Sequence, residues 1–222
     1  MTTTERRERE RLQRHELIVA TARELAEQEG WEAVTTRRLA ERVEYSQPVL
    51  YSHFTNKDAI VRAVAIEGFA ELGAGLRRAR LAAPSAAAAL RAVAEEYLHF
   101  AATRPALYDS MFSMPTDIRF ASGDLTPQPL RDAFAEFVEA VAPLAAGRDV
   151  EVCAEVIWSA LHGLATLTRR GRLPEHRQHD RLDVLLGQLA STGPEPPERL
   201  CAPPHRPSPG AGFRCRADFP GA

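Results

Sequence analysis

The segment from Tyr45 to Lys57 collects side chains that form directional hydrogen bonds, and it contains no acidic residue although the chain has 30. The amide of Gln47 can bond the edge of a base, as such amides commonly do with adenine. The side chains of Tyr51 and His53 can donate hydrogen bonds to phosphate oxygens. Residue types in this order therefore fit a surface that contacts a nucleic acid.

These side chains need short helices to position them. Apolar spacing predicts one helix over Arg37–Val43 and a second over Gln47–Phe54, joined by Glu44–Ser46, which is the layout of a helix-turn-helix. In that motif the second helix enters the DNA major groove. Leu50 and Phe54 stand four residues apart, so both should face the core and leave the polar side chains outward.

Further helices are predicted wherever apolar residues recur at helical spacing between glycine or proline boundaries. Ser46 is expected to cap the second short helix, and Thr55 with Asp58 to form a capping box for the next one. The apolar residues of Asp149–Arg170 lie nearly all round the helix, which predicts burial. No stretch alternates as a strand does, so the predicted fold is all-α. The other predicted helices are Arg9–Glu29, a helix from the capping box toward Leu81, Ala86–Thr103, Ala106–Phe112, Pro127–Ala146 and Arg177–Ala190.

The residues TTRRLAERV…YSQPVLYSHFTNKDAI resemble the DNA-binding domain of the TetR family of bacterial repressors over Arg14–Val64. The resemblance implies a homodimer that places two recognition helices in successive major grooves of a palindromic operator. Glu44 stands where the family usually has a turn glycine, so some strain is expected there. Pro48 replaces a common glycine. The implied DNA contacts are Thr36, Arg37, Gln47, Pro48, Val49, Tyr51, His53 and Lys57.

The second half of the chain resembles a helical C-terminal domain of that family, because IWSALHGLATL carries a W…HG signature at Trp158, His162 and Gly163. The resemblance implies a bundle that binds a small-molecule effector and dimerises, through Asp149–Arg170 and Arg177–Ala190. An aromatic-rich set is the candidate effector site, although the same residues at helical spacing could equally be core. Its members are Phe100, Tyr108, Met111, Phe112, Phe134, Phe137, Trp158 and His162.

The predicted organisation has three parts. Residues 1–64 form the helix-turn-helix domain, with residues 1–10 as a flexible arm, and residues 65–191 form the helical bundle. Residues 192–222 are rich in proline and glycine and are expected to be a disordered tail. The net charge of −2 does not by itself indicate a nucleic-acid partner, so that interpretation depends on local placement.

A cytoplasmic location is expected, since the N-terminus is charged and no apolar run approaches the ~18 residues of a membrane span. No cofactor is expected. The run of arginine and glutamate over Glu5–Arg14 is interpreted as a solvated helix start, with a basic arm near DNA as the alternative.

Two alternatives to a ligand-responsive repressor remain open at this stage. One is an architectural DNA-binding protein without an effector. The other is a metal-dependent helical-bundle enzyme, because Glu96 and His99 match half of a di-iron site. A second such pair is not found in the sequence, so an enzyme is not expected.

Overall fold

The computed structural model describes residues 2–120 and 123–191, and within these ranges the fold is helical without strands. The tail predicted for residues 192–222 lies outside the described residues. The α-helices are α1 Thr3–Glu29, α2 Thr36–Arg42, α3 Gln47–His53, α4 Lys57–Ala82, α5 Ala86–Thr103, α6 Pro105–Phe112, α7 Gln128–Val141, α8 Val150–Arg169 and α9 Gln178–Ser191. The predicted all-α class is thus confirmed.

Helix α4 connects the two parts of the molecule. Three residues separate it from the end of α3, and it packs along α5, α6 and α7. Its approach to α7 is close, because a Cβ on Gly73 would lie 3.2 Å from the Cα of Ala133. The helix runs without a break through residue 64, so the predicted domain boundary falls inside a continuous element.

Local capping differs from the sequence prediction at two helices. The Ser46 side chain makes no capping bond at the start of α3. The cap of α4 is Asn56, whose side chain accepts the N–H of Ala59 at 2.8 Å, so the capping box predicted for Thr55 and Asp58 is wrong. Asparagine is as good a cap as threonine, and its position one residue later sets where the helix begins.

Two other boundaries also differ. Helix α1 begins at Thr3, where a flexible arm was predicted, because Thr2 and Glu5 cap each other's backbone N–H groups. Helix α7 ends at Val141, five residues earlier than predicted. Pro143 has no N–H to continue the α-helical hydrogen bonds, and the chain continues as a 3₁₀ turn over Ala142–Leu144.

Helix α8 is less buried than its composition predicted. Ala154, Ile157 and Leu161 face the core, but Val152 and Val156 are 53% and 61% exposed. By length and composition alone α8 is apolar enough to cross a bilayer, a test that the core helix of a soluble protein also passes. Its inner face packs on α5 and α7, and its outer apolar face is open in the single chain.

The turn between α2 and α3 holds Glu44 in a left-handed conformation, with φ of +58°. The N–H of Tyr45 bonds the carbonyl of Ala40 at 3.0 Å across it, as in a Schellman motif. This motif favours glycine at the position of Glu44. The expected strain at the turn is therefore present in the backbone.

We predict that Glu44→Gly raises the free energy of unfolding by about 0.5–1 kcal/mol, because relief of the left-handed strain exceeds the extra entropy that glycine loses on folding. Urea denaturation followed by circular dichroism measures it. Glu41→Gly, inside α2, is the matched control and should lower stability by about 1 kcal/mol. A loss of stability in Glu44→Gly would contradict the interpretation.

Candidate nucleic-acid interface and candidate effector site

The start of α2 is set by Thr35, whose hydroxyl accepts the N–H of Arg38 at 3.2 Å. The guanidinium of Arg38 then makes a paired hydrogen bond to the carboxylate of Glu29, at 2.7 and 2.8 Å. Beside it, Arg42 reaches Gln28 at 3.0 Å. These contacts fix α2 along the C-terminal half of α1 and so orient the turn and α3.

Helix α3 is anchored by its inner face. Leu50 is 1% exposed and Phe54 is 6% exposed, as the sequence predicted. The ring of Phe54 stacks on His15 of α1 at 4.6 Å between centroids. Burial of each of these two side chains contributes roughly 1.5–3 kcal/mol to the free energy of unfolding.

The outer face of α3 carries the predicted base contacts. Gln47 and Pro48 are exposed, Val49 is half-buried, and Tyr51 is 51% exposed. The Tyr51 side chain thus projects from the protein surface, while that of its neighbour Leu50 lies in the core. Gln47, Pro48 and Tyr51 project outward, and Val49 lies at the margin of the exposed surface.

Three predicted DNA contacts outside α3 already have protein partners or are partly buried. The ammonium of Lys57 donates to the carbonyl of Trp31 at 2.6 Å. Arg37 forms an exposed ion pair with Glu41 at 2.9 Å. Thr36 is half-buried at the start of α2. For Lys57 and Arg37, contact with a phosphate requires exchange of an existing partner.

His53, the last residue of α3, is half-buried near His15, with ring centroids 6.5 Å apart. Burial lowers the pKa of His53, and the nearby His15, Arg11 and Arg14 lower it further. The ring is therefore held neutral at neutral pH, and a neutral imidazole still has one N–H to donate.

In the bundle, four predicted effector residues form what we call the aromatic cluster: Tyr108, Phe112, Trp158 and His162. The centroid of Phe112 lies 4.8 Å from Tyr108, 5.1 Å from His162 and 6.2 Å from Trp158. Phe134 borders it, 6.5 Å from Trp158. These separations lie in the range of favourable aromatic pairs.

A polar network lies within this apolar surrounding. The hydroxyl of Tyr108 is 2.6 Å from Nδ1 of His162 and 2.9 Å from the hydroxyl of Tyr97. Tyr97 is also 3.2 Å from the same nitrogen and packs on Phe137 at 5.6 Å. Burial raises the pKa of Tyr97, and it raises that of Tyr108 to about 12. Burial lowers the pKa of His162, and Arg169 adds to that effect.

Arg169 ties α6 to α8 beside the cluster. Its guanidinium pairs with both carboxylate oxygens of Asp109 at 3.0 Å and donates to the carbonyl of Pro105 at 3.1 Å. It also lies 5.1 Å from the ring of Tyr108. Sequence reasoning missed Arg169 and Tyr97. A buried tyrosine hydroxyl needs a partner, and this could have drawn attention to Tyr97.

Two predicted effector residues point elsewhere. Phe100 is buried, and the guanidinium of Arg104 lies 5.1 Å from its ring. Met111 packs against α4, where a Cβ on Gly68 would meet its sulfur at 2.7 Å. We therefore place both outside the aromatic cluster.

The N-terminal end of α6 is held by α1. The carboxylate of Glu27 accepts the free N–H groups of Ala106 and Leu107 at 3.1 and 2.9 Å. The indole of Trp31 donates to the carbonyl of Ala106 at 2.8 Å. Helix α6 thus has α1 at its start and, through Tyr108 and Phe112, the aromatic cluster along its length.

The alternative metal site has no support in the geometry. Among residues 2–120 and 123–191, no group of three or more histidine, cysteine, aspartate or glutamate side chains is placed to hold a metal ion. Glu96 is half-buried and His99 is exposed on α5.

A short helix-turn-helix domain followed by a helical bundle defines a class of helical regulatory proteins. Residues 18–64 match the family described as "Bacterial regulatory proteins, tetR family", and residues 90–189 match "Tetracyclin repressor-like, C-terminal domain". The chain belongs to the TetR family, whose members are DNA-binding regulators and not enzymes. The resemblance noted in the sequence is therefore confirmed.

Among the relatives, the class C tetracycline repressor protein of Escherichia coli is 53% identical over 55 residues, which are 25% of each chain. The class G protein of Vibrio anguillarum is 45% identical over 47 residues, 21% of this chain and 22% of that one. The chain thus spans about a quarter of the length of these curated relatives.

A solved structure of a protein with unknown function from Rhodococcus sp. RHA1 is also similar, with a TM-score of 0.66 and 26% identity. The match covers 79% of this chain and 95% of that one.

Protonation of His162 should couple stability to pH. Its pKa is lowered from 6.5 in the folded protein, so the unfolded chain takes up the proton first as pH falls. We predict full stability above pH 6.5 and a progressive loss below it, and that His162→Asn weakens this dependence. Urea unfolding at several pH values measures it.

His99→Asn, an exposed histidine, is the control and should keep the wild-type dependence. His53 shifts in the same direction, so part of the slope remains in His162→Asn. Identical pH dependence in the wild type and His162→Asn would contradict the assignment.

Proposed function

We propose that this protein is a cytoplasmic transcriptional repressor that binds a palindromic operator as a homodimer and is released by a small-molecule effector. The observation that carries the DNA-binding part is the arrangement of α3. Leu50 and Phe54 are buried, and Phe54 stacks on His15 of α1, while Gln47, Pro48 and Tyr51 are exposed on the outer side of α3. An exposed face of this composition, free of acidic residues, fits a major groove.

The residues at the start of α3 contact bases, and those toward its end contact the DNA backbone. Gln47 at the helix start meets a base edge, and Pro48 with Val49 contacts a thymine methyl group. Tyr51 and His53 donate to phosphates on the flanks. Lys57 joins them by exchanging the Trp31 carbonyl for a phosphate oxygen, which is a stronger partner for a cation than a neutral carbonyl. Arg37 exchanges Glu41 for a guanine edge or a phosphate. Thr36 holds the backbone from the start of α2.

Operator binding should depend on the outward side chains of α3. We predict that Tyr51→Ala weakens binding, and that Gln47→Ala relaxes the base preference at one position per half-site at a cost of about 1–3 kcal/mol. Selection from randomised duplex DNA followed by gel-shift titration measures both effects.

Gln13→Ala on the exposed part of α1 is the control for Gln47→Ala. Circular dichroism checks that each variant keeps the fold, as expected for exposed positions. Wild-type affinity and base preference in both α3 variants would reject α3 as the recognition helix.

The proposed dimer uses the open apolar faces of α8 and α9. Val152 and Val156 on α8 and Val184 on α9 are exposed, which is costly for a lone chain in water. A shallow groove of about 480 Å³ lies between the two helices, with Leu164 and Leu185 in its wall. Pairing the same faces of two copies would form a four-helix, two-fold interface.

We predict that Val156→Glu converts the dimer into a monomer, because it places a charge in the apolar interface of each copy. Sedimentation velocity measures the change, and operator affinity should fall with it. Leu81→Glu alters a similarly exposed residue of α4 outside the interface, so that variant should remain dimeric. A dimeric Val156→Glu would reject this interface.

The effector proposal rests on the polar network of Tyr97, Tyr108 and His162. A purely structural core needs no such network, because buried polar groups cost free energy unless fully paired. Trp158 and Phe112 are only half-buried, so their movement opens a way to the network. The site suits a partly planar apolar molecule that carries one hydrogen-bonding group. An effector that binds there would displace α6, which α1 holds at its other end.

A further inference from the structure

The first turns of α1 form a surface that the proposed function leaves unused. The helix begins at Thr3 with a reciprocal cap, yet its first buried residue is Ile18. The intervening turns therefore extend beyond the packed domain as an ordered rod. At about 1.5 Å per residue, the eleven steps from Arg7 to Ile18 span roughly 16 Å.

The direction of this rod follows from its two ends. Near its C-terminal end, Glu27 and Trp31 bond to α6 of the bundle. The opposite end therefore points away from the bundle. It passes the end of α3, where His15 stacks on Phe54 and lies 6.5 Å from His53.

One side of the rod carries what we call the arginine stripe, made of Arg7, Arg11 and Arg14. Their spacings of four and three residues, followed by four to Ile18, place them on a single helix face that continues the inward face of α1. Glu5 and Glu16 lie on the opposite side. Glu8 and Glu10 flank the stripe, and the five arginines of the Glu5–Arg14 run outnumber its three glutamates by two.

The stripe is largely free of acidic partners. In the described ranges, no carboxylate lies within 4 Å of the guanidinium of Arg7 or Arg11, and Arg14 meets Glu10 only at 3.8 Å. Arg11 and Arg14 are also close enough to lower the pKa of His53 at the end of α3. Their positive charge therefore reaches the edge of the proposed DNA-contacting face.

We propose that the arginine stripe is a second DNA-binding element that contacts the phosphate backbone flanking the groove entered by α3. This rests on the proposed operator binding. A guanidinium without an acidic partner is well suited to phosphate oxygens, and the roughly 10 Å from Arg7 to Arg14 matches the axial rise of about three phosphates of one strand. The contact adds affinity and length to the operator without adding base readout.

The test compares two double variants of the full chain with the same charge change. Arg7→Ala/Arg11→Ala removes two of the three stripe arginines, whereas Arg6→Ala/Arg9→Ala removes two arginines from other faces of the same turns. The probe is a duplex selected from random DNA by the wild type, with about one helical turn of flanking sequence on each side. Affinity is measured against salt concentration, and hydroxyl-radical footprinting gives the protected length.

We expect the stripe variant to lower the slope of log affinity against log salt by about two per protomer and to shorten the footprint at both outer edges. The control variant should keep the wild-type footprint and most of the slope. Trimming the flanking base pairs should weaken the wild type and leave the stripe variant unchanged.

Equal losses in the two double variants, or an unchanged footprint in the stripe variant, would overturn the proposal. In that outcome the wild type still binds the duplex and Tyr51→Ala still weakens it, so operator binding by α3 survives. Failure of the wild type to select any duplex overturns both proposals together.

Discussion

The burial of Leu50 and Phe54 in the hydrophobic core is the interaction on which the proposed DNA-contacting surface depends. A helix of seven residues cannot persist alone in water, because nucleation costs more than so few hydrogen bonds return. Helix α3 exists because these two side chains are removed from water and because Phe54 stacks on His15. The same contact fixes its rotation, so Gln47 and Tyr51 face outward as a consequence of what is buried.

The second constraint is the attachment of α1 to both halves of the molecule. Glu71 of α4 pairs with Arg23 of α1 at 2.7 Å and with Arg104, just before α6, at 2.9 Å. These half-buried ion pairs add to the Glu27 and Trp31 contacts and make one connected joint of α1, α4 and the start of α6. A displacement of α6 would therefore move α1, and α1 contacts the end of α3 through His15 and Phe54.

Sequence periodicity predicted much of this structure because the helices are amphipathic and the boundaries carry glycine or proline. The span Ala86–Thr103 was predicted to the residue, and the strained turn at Glu44 followed from comparison with a family pattern. The predictions were wrong where neighbouring residues compete for one role, as Thr55 and Asn56 do for the cap of α4. Burial of α8 was overestimated because composition cannot distinguish a face that meets the core from one left open in a single chain. The Tyr97 and Arg169 contacts join helices distant in sequence, so no local pattern indicates them.

The joint between Glu27 and α6 has a consequence for the proposed repressor. Thermodynamic linkage makes coupling between two sites reciprocal, so whatever factor an effector imposes on operator affinity, the operator imposes on effector affinity. Protein bound to its operator would bind the small molecule more weakly than unbound protein does. Unbound protein would then bind the effector first. The regulated gene would respond only after most of the unbound protein is saturated with effector.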